Sequence, residues 1–201
     1  YYGASSQSID CKFYPFYFSV IDQKNLQFIE EYQYDCVFLG MGFNRLTSAD
    51  YELERNVFFD GTKDFDFGIY GNGWGEHQYS KGILPSEDIG NLYYTANSAM
   101  AIIAKSQREM GMINNRFTEI AMSYCPIISY RYPEVDWFGL DKYMYFADTP
   151  AKFRTKVLDI KEMLWEVPEV YEDVCQEQAD FMKEKSEIFI EQLKEFLIRV
   201  D

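Results

Sequence analysis

Short apolar runs alternate with helical segments from Asp35 to about residue 166, and this alternation constrains the fold most. The apolar runs predict strands at 36–39, 65–70, 82–84, 99–104, 126–129 and 143–146. Helices are predicted between and after them at 47–59, 87–96, 115–124 and 150–165. Strands that alternate with helices are typical of βαβ units, and continuous apolar strands are typical of a sheet covered on both faces. We therefore expect an α/β domain with a mainly parallel sheet flanked by helices.

Capping residues mark the starts of two of the predicted helices. Thr47 or Ser48 is available as the N-cap of the first helix, and Ser86 follows Pro85 at the start of the second. Both residue types accept hydrogen bonds from free backbone N–H groups in a first helical turn. The sequence after residue 104 predicts a polar loop before the helix at 115.

The composition divides the chain into three parts. Residues 1–34 are aromatic and irregular, with one strand-like piece at 13–20, and are expected to link to a missing N-terminal domain. Residues 35–166 form the predicted α/β domain, and residues 167–201 are charged, periodic helices that pack on it. Because the chain starts without Met or a signal-peptide pattern, we expect it to be the interior of a longer protein.

Charge, hydropathy and cysteine usage exclude several classes of function. The net charge of −14 argues against a duplex nucleic-acid partner, although it leaves room for one small anion. No uninterrupted apolar run is long enough to predict a membrane span. Cys11, Cys36, Cys125 and Cys175 lie far apart, so neither a zinc site nor a disulfide framework is predicted. A reducing, cytoplasmic compartment is expected.

Three predicted loops should meet at one edge of the sheet. They are the loop after Gly40, the turn at 71–74 and the loop at 105–116. Ligands of open parallel sheets bind beyond the carboxyl ends of the strands, and these loops follow three such ends. The loops are therefore candidate binding elements, although none alone is specific.

The helix predicted to begin at Asn115 is the most informative of these candidates. It follows a loop that contains Gly111, so its free N–H groups can face a phosphate. Arg116 can add charge-assisted hydrogen bonds, and Glu119, on the same helical face, can accept from two ribose hydroxyls. Alternatively, this is an N-capped surface helix whose Arg116 and Glu119 form an i,i+3 ion pair.

Five motifs in order add a family resemblance. They are Asp35-x-x-Phe38-x-Gly40, Ile69-Tyr70-Gly71-x-Gly73-Trp74, Leu84-Pro85-x-x-Asp88-Ile89-x-x-Leu92-Tyr93-x-x-Ala96-Asn97, Asn115-Arg116-Phe117-x-Glu119-x-Ala121 and Pro126-Ile127-Ile128. Together they resemble the C-terminal domain of retaining, B-type-fold glycosyltransferases of the family 1/4-like group, and its spore-maturation glycosyltransferase-like branch above all. The likeness extends from about Cys11 to the C-terminus and implies a Rossmann-like domain, one half of a GT-B fold.

The resemblance implies roles for individual residues. Glu119 matches a glutamate that contacts the donor's ribose, and Arg116 matches an arginine close to the donor. The turn beside the nucleotide matches Gly71, Gly73 and Trp74, and the loop that approaches the phosphates matches Gly40 and Arg45. Asn115 begins the helix that would bind the phosphates.

The resemblance also implies the activity. A hexosyltransferase-like enzyme would bind a UDP- or GDP-sugar and require no cofactor or metal, and the missing N-terminal domain would carry the acceptor site. No catalytic residue is assigned on this chain.

Two departures from the family pattern leave other functions open. Gly111 stands where the first glutamate of the family's Glu-x7-Glu motif is usual, Glu119 being the second. Tyr124 stands where a glycine usually ends the helix in a left-handed conformation. A structural or interaction module that kept the fold, or a different nucleotide-dependent enzyme, therefore stays an alternative.

Two weaker candidates lie in the loop after residue 70. His77 is the chain's one histidine and is either a base or phosphate contact or, more simply, incidental. The spacing Gly71-x-Gly73-x-Gly75 imitates a dinucleotide fingerprint, but no helical period follows it, as that motif requires.

Overall fold

The computed structural model describes residues 21–42, 47–59, 64–109, 114–131 and 139–200. For residues 140, 193 and 196–200 it describes the backbone only. The candidates Arg45 and Gly111 and the predicted strand at 13–20 lie outside the described residues.

A parallel sheet of five strands forms the centre of the described chain. In chain order the strands are β1 (Cys36–Leu39), β2 (Phe67–Tyr70), β3 (Ala99–Ala101), β4 (Ile127–Ser129) and β5 (Tyr145–Phe146). They are ordered β2-β1-β3-β4-β5, and every neighbouring pair is parallel. The α/β class and the parallel sheet are thus confirmed.

Helices follow or precede each strand. They are α1 (Glu52–Glu54), α2 (Ile89–Thr95), α3 (Lys105–Glu109), α4 (Asn115–Met122), α5 (Pro150–Glu166) and α6 (Pro168–Val200). A 3₁₀ turn (Ala49–Tyr51) and a π-helical turn (Arg55–Phe59) extend α1 on both sides. Shorter 3₁₀ turns lie at Gln23–Asn25, Glu30–Tyr32, Ser86–Asp88 and Leu140–Lys142.

Several predicted boundaries are wrong. The strand predicted at 82–84 is not formed; instead Ser80 bridges to Ile69, and Gly82 turns with a φ of +87°. The strand predicted at 99–104 ends at Ala101, and α3 replaces part of the polar loop expected after it. Ser86 does not cap, because it is the first residue of a 3₁₀ turn.

The cap of the first helical segment is confirmed at the second of its two candidates. The Ser48 Oγ accepts a hydrogen bond from the Asp50 N–H at 3.2 Å. Only three residues of the segment are α-helical, since 3₁₀ and π turns take up the remainder.

Each face of the sheet carries its own core because alternate strand residues point to opposite sides. Val37 packs on one face with Tyr93 and Phe117, under α2 and α4. Phe38 packs on the other face with Phe153, under α5. The aromatic residues in these two cores therefore serve packing.

The long C-terminal helix is fixed to the start of β4 by one buried side chain. The Gln178 amide donates to the Cys125 carbonyl at 2.6 Å and accepts from the Ile127 N–H at 3.2 Å. Since the side chain is fully buried, these bonds satisfy backbone groups that water does not reach. α6 thereby packs against α4 and α5.

Tyr124 ends α4 in the left-handed conformation, with a φ of +55°. Because a side chain raises the energy of this conformation by about 1–2 kcal/mol, we expect Tyr124→Gly to raise the free energy of unfolding by about 1 kcal/mol. Urea denaturation measures the change. Tyr124→Ala is the control, since it removes the ring but keeps the backbone cost; equal stability of the two variants would contradict the explanation.

Candidate functional site

The loops after β1 and β2 contact each other at the carboxyl edge of the sheet. The Gly40 N–H donates to the Tyr70 carbonyl at 2.9 Å, and the Gly42 N–H donates to the Asn72 carbonyl at 2.8 Å. The Trp74 indole N–H donates to the Gly40 carbonyl at 2.7 Å. The structure thus brings together two of the three predicted loops.

This junction depends on glycine. A Cβ atom on Gly71 would lie 2.1 Å from the Gly40 carbonyl oxygen, and one on Gly42 would lie 2.5 Å from the Gly73 carbonyl oxygen. Gly71 and Gly73 also have φ angles of +132° and +84°. The backbones of the two loops therefore approach more closely than side chains permit.

The buried Trp74 side chain supports this junction. Its side chain is only 2% exposed and packs edge-to-face against Phe38 and Phe59. A ring so deeply buried has no face on which a ligand could stack. The position of the turn beside a nucleotide stays a prediction.

His77 belongs to the same aromatic cluster. Its ring lies 5.7 Å from that of Trp74, and its Nδ1 is 3.4 Å from the Tyr79 N–H, which donates to it. Burial lowers the pKa of the imidazole below its ordinary value. These contacts favour a neutral packing residue, the simpler of the two interpretations of the sequence.

The start of α4 lies at the same edge of the sheet. The Asn114 side chain caps the helix by accepting from the Arg116 N–H at 3.1 Å, and its amide donates to the Ile102 carbonyl at 3.2 Å. Because Ile102 follows the last residue of β3, this second bond fixes the helix start to the carboxyl end of that strand. The third predicted loop thus ends at the predicted edge.

Arg116 and Glu119 form the ion pair that the sequence left as an alternative. The Arg116 guanidinium donates to one Glu119 oxygen, and the Asn115 amide donates to the other at 2.9 Å. Burial raises the pKa of the Glu119 carboxyl, although the Arg116 guanidinium acts in the opposite direction. Glu119 is 7% exposed, whereas the Arg116 side chain is 25% exposed. A ligand can therefore reach the Arg116 guanidinium more readily than the Glu119 carboxylate.

A cavity of about 330 Å³ adjoins Glu119. Gly90 and Asn91 of α2 line one side, and Asp22 and Asn25 line the other. Its lining mixes polar side chains with the aliphatic residues Ile21, Leu26 and Ile89. It carries no Lys or Arg among its described lining residues, which suits hydroxyl groups better than phosphates.

Sequence reasoning missed a second buried ion pair at this edge. Glu54, 1% exposed, pairs with Arg108, which also donates to the Ile103 carbonyl at 2.6 Å. Nearby, the Ser106 hydroxyl donates to Asp50 at 2.8 Å. These contacts join α3 to the helical segment after β1. No local pattern signals them, since the partners are more than fifty residues apart.

Further groups that carry chemistry are few in the described residues. Cys36, Cys125 and Cys175 are free and buried, and burial raises the pKa of Cys36 to about 12. His, Cys, Asp and Glu side chains in this part of the chain form no cluster suited to a metal ion. None of the helices described here combines the length and apolar character needed to cross a membrane.

The fold and the site together define the class of protein. Open α/β sheets bind ligands beyond the carboxyl ends of their strands, and the glycine-dependent junction and the capped start of α4 lie at that edge here. Residues 54–177 match a family described as glycosyl transferase-like, and the chain belongs to this family.

Solved structures of glycosyltransferases are similar in fold. Phage T4 β-glucosyltransferase superposes with a TM-score of 0.62 at 14% identity, over 84% of this chain and 51% of that chain. A structure of the same phage enzyme with UDP-glucose gives 0.53 at 15% identity, over 78% and 48%. Pneumococcal O-GlcNAc transferase GtfA, in complex with UDP and GlcNAc, gives 0.50 at 13% identity, over 85% and 37%.

The described chain thus has a fold similar to GT-B glycosyltransferases and spans about half or less of these enzymes' length. A comparison with curated protein sequences finds no match. The spore-maturation branch stays a prediction.

Proposed function

We propose that the chain is the donor-binding half of a glycosyltransferase that transfers a sugar from a nucleotide sugar to an acceptor. The observation that carries the proposal is that the glycine junction and the start of α4 both lie at the carboxyl edge of the sheet. The solved relatives with UDP-glucose and with UDP and GlcNAc make a UDP-sugar the first donor to test. A second domain would carry the acceptor site.

Arg116 can bind the donor's diphosphate while its ion pair with Glu119 stays formed. A guanidinium has five N–H donors, and the contact with Glu119 uses one of its terminal nitrogens. The other N–H groups of the partly exposed guanidinium can donate to a diphosphate. The positive end of α4 also attracts that diphosphate. The same donors would stabilise the charge that develops on the departing diphosphate.

Glu119 can contact the ribose in the same arrangement. An ionised carboxylate offers about four lone-pair sites, and Asn115 and Arg116 each occupy one. The cavity beside Glu119 gives sugar hydroxyls a route to the others. We propose that Gly40, Arg45, Gly71 and Gly73 line the phosphate side of this site.

A non-catalytic interaction module is the second candidate, and one observation favours it. The Asn114 side chain already occupies the Arg116 N–H, and both Glu119 oxygens accept bonds from within the helix. A helix satisfied in this way needs no ligand.

Calorimetric titration with UDP, GDP, UDP-glucose and UDP-GlcNAc distinguishes the two candidates. We expect one nucleotide to bind and Arg116→Ala to weaken it at least tenfold, since a charge-assisted hydrogen bond contributes about 1.5–3 kcal/mol. Glu119→Gln should weaken it less, because the amide keeps one acceptor.

The matched control is Arg154→Ala, which removes an exposed arginine of α5 that pairs with Asp64. It should leave the affinity unchanged, and thermal unfolding should show that every variant is folded. Equal affinities of the Arg116 and Arg154 variants would contradict the assignment. Absence of binding by all four compounds would favour the interaction module.

A further inference from the structure

A cavity larger than the one beside Glu119 lies at the opposite, amino edge of the sheet. Its volume is about 640 Å³, within the range of about 300–1,000 Å³ that small-molecule sites occupy. Asn97 and Tyr124, which line it, precede β3 and β4 closely, which places the cavity at the amino edge. Leu26 lines both this cavity and the one beside Glu119, so the two cavities are neighbours. The start of α6 closes one side.

Aromatic side chains form much of the wall. Phe28 and Tyr94 line the cavity and are 59% and 43% exposed, which is unusual for large aromatic residues in this otherwise well-packed domain. Tyr124 and Tyr171 line it as well. Aromatic rings provide rigid, apolar faces against which the C–H face of a sugar ring can pack.

The polar groups of the wall include amides, one carboxylate and the hydroxyls of Thr95 and the tyrosines. Gln23 and Gln33 line the cavity and bring side-chain amides to it. Glu172 adds a carboxylate. Amides and carboxylates donate to and accept from hydroxyl groups, as a polyol requires. No described Lys or Arg lines the cavity, so a phosphate or other anion would find no counter-charge there.

Tyr124 provides an independent observation. Its backbone adopts the left-handed conformation, which has a higher energy for tyrosine than for glycine. Its side chain lines the cavity. A strained residue that persists is a reason to look for a use of its side chain.

From these observations we infer that the amino-edge cavity binds a neutral saccharide, separately from the nucleotide site proposed at the carboxyl edge. Phe28, Tyr94 and Tyr124 provide the stacking faces, and Gln23, Gln33 and Glu172 provide hydrogen bonds to hydroxyl groups. The inference depends on the cavity's own chemistry and holds whether or not the chain transfers sugar.

Saturation-transfer NMR and calorimetry with the full chain test this inference. The probes are maltotriose, cellotriose and triacetylchitotriose, with trigalacturonate as the anionic comparison. We expect at least one neutral trisaccharide to bind with a millimolar Kd and trigalacturonate to bind more weakly. No signal from any neutral trisaccharide would overturn the inference, as would preferential binding of trigalacturonate.

Two variants test whether the saccharide binds in this cavity. Tyr124→Gly should weaken binding at least tenfold while the protein becomes more stable, so a loss of binding cannot come from unfolding. Tyr94→Ala should also weaken it. Trp165→Ala is the matched control, since Trp165 is 72% exposed and lies outside the cavity.

Arg116→Ala should leave saccharide binding unchanged, which separates this site from the proposed nucleotide site. Unaltered binding by Tyr124→Gly, or equal losses in the Trp165 and Tyr94 variants, would overturn the inference.

Discussion

Replacing Gly71 with alanine is expected to lower the free energy of unfolding by about 3 kcal/mol or more. The residue has a φ of +132°, and a side chain there raises the backbone energy by about 1–3 kcal/mol. The added Cβ would also lie 2.1 Å from the Gly40 carbonyl oxygen, and overpacking of this kind costs about 1–3 kcal/mol. Urea denaturation of the folded chain measures the loss.

Gly75→Ala is the matched control for this prediction. Gly75 has a φ of +57° in the same loop, but nothing lies within 4 Å of an added Cβ. It should therefore lose only about 1 kcal/mol, from the backbone alone. Equal losses in the two variants would show that the close approach of Gly71 to Gly40 does not hold the junction together.

Replacing Arg108 with methionine should produce the second large effect. Arg108 is the ion-pair partner of Glu54, a carboxylate that is only 1% exposed, and it donates to the Ile103 carbonyl at 2.6 Å. Removing one member of a buried pair typically costs about 3–5 kcal/mol, because the remaining charge stays in a poorly solvated position. We expect a loss of about 3 kcal/mol in urea denaturation.

Two comparisons isolate the charge. The double variant Glu54→Leu/Arg108→Met should recover much of the loss, since it removes the buried charge together with its partner. Lys105→Met, in the same helix, breaks the exposed pair with Glu109 and should change stability by less than about 1 kcal/mol. If the double variant is less stable than Arg108→Met, the buried charge is not the cause.

The sheet could be predicted from the sequence because its signals are local. Runs such as 36–39 are apolar without interruption and end at glycine, which fixes both the strand and its turn. The run at 82–84 is also apolar, yet Gly82 adopts a positive φ and residues 79–81 pair with β2 instead. Composition does not reveal which of two neighbouring segments pairs.

The candidate site could be predicted only in part. The sequence predicts that the loops after β1 and β2 lie at one edge of the sheet, and helical spacing predicts that Arg116 and Glu119 share a face. It does not predict that the two loops contact each other through glycine. Trp74 was placed at the right turn, but its burial depends on aromatic residues distant in sequence. Glu54 and Arg108 were missed for the same reason, since no short motif joins them.

A crystal structure of the chain soaked with UDP tests most directly whether the carboxyl edge binds a nucleotide. We predict the diphosphate at the amino end of α4, with one oxygen about 3 Å from the Arg116 guanidinium, and the ribose hydroxyls against Glu119. A nucleotide bound at the amino edge, or an unchanged and empty carboxyl edge at saturating UDP, would contradict the proposed function.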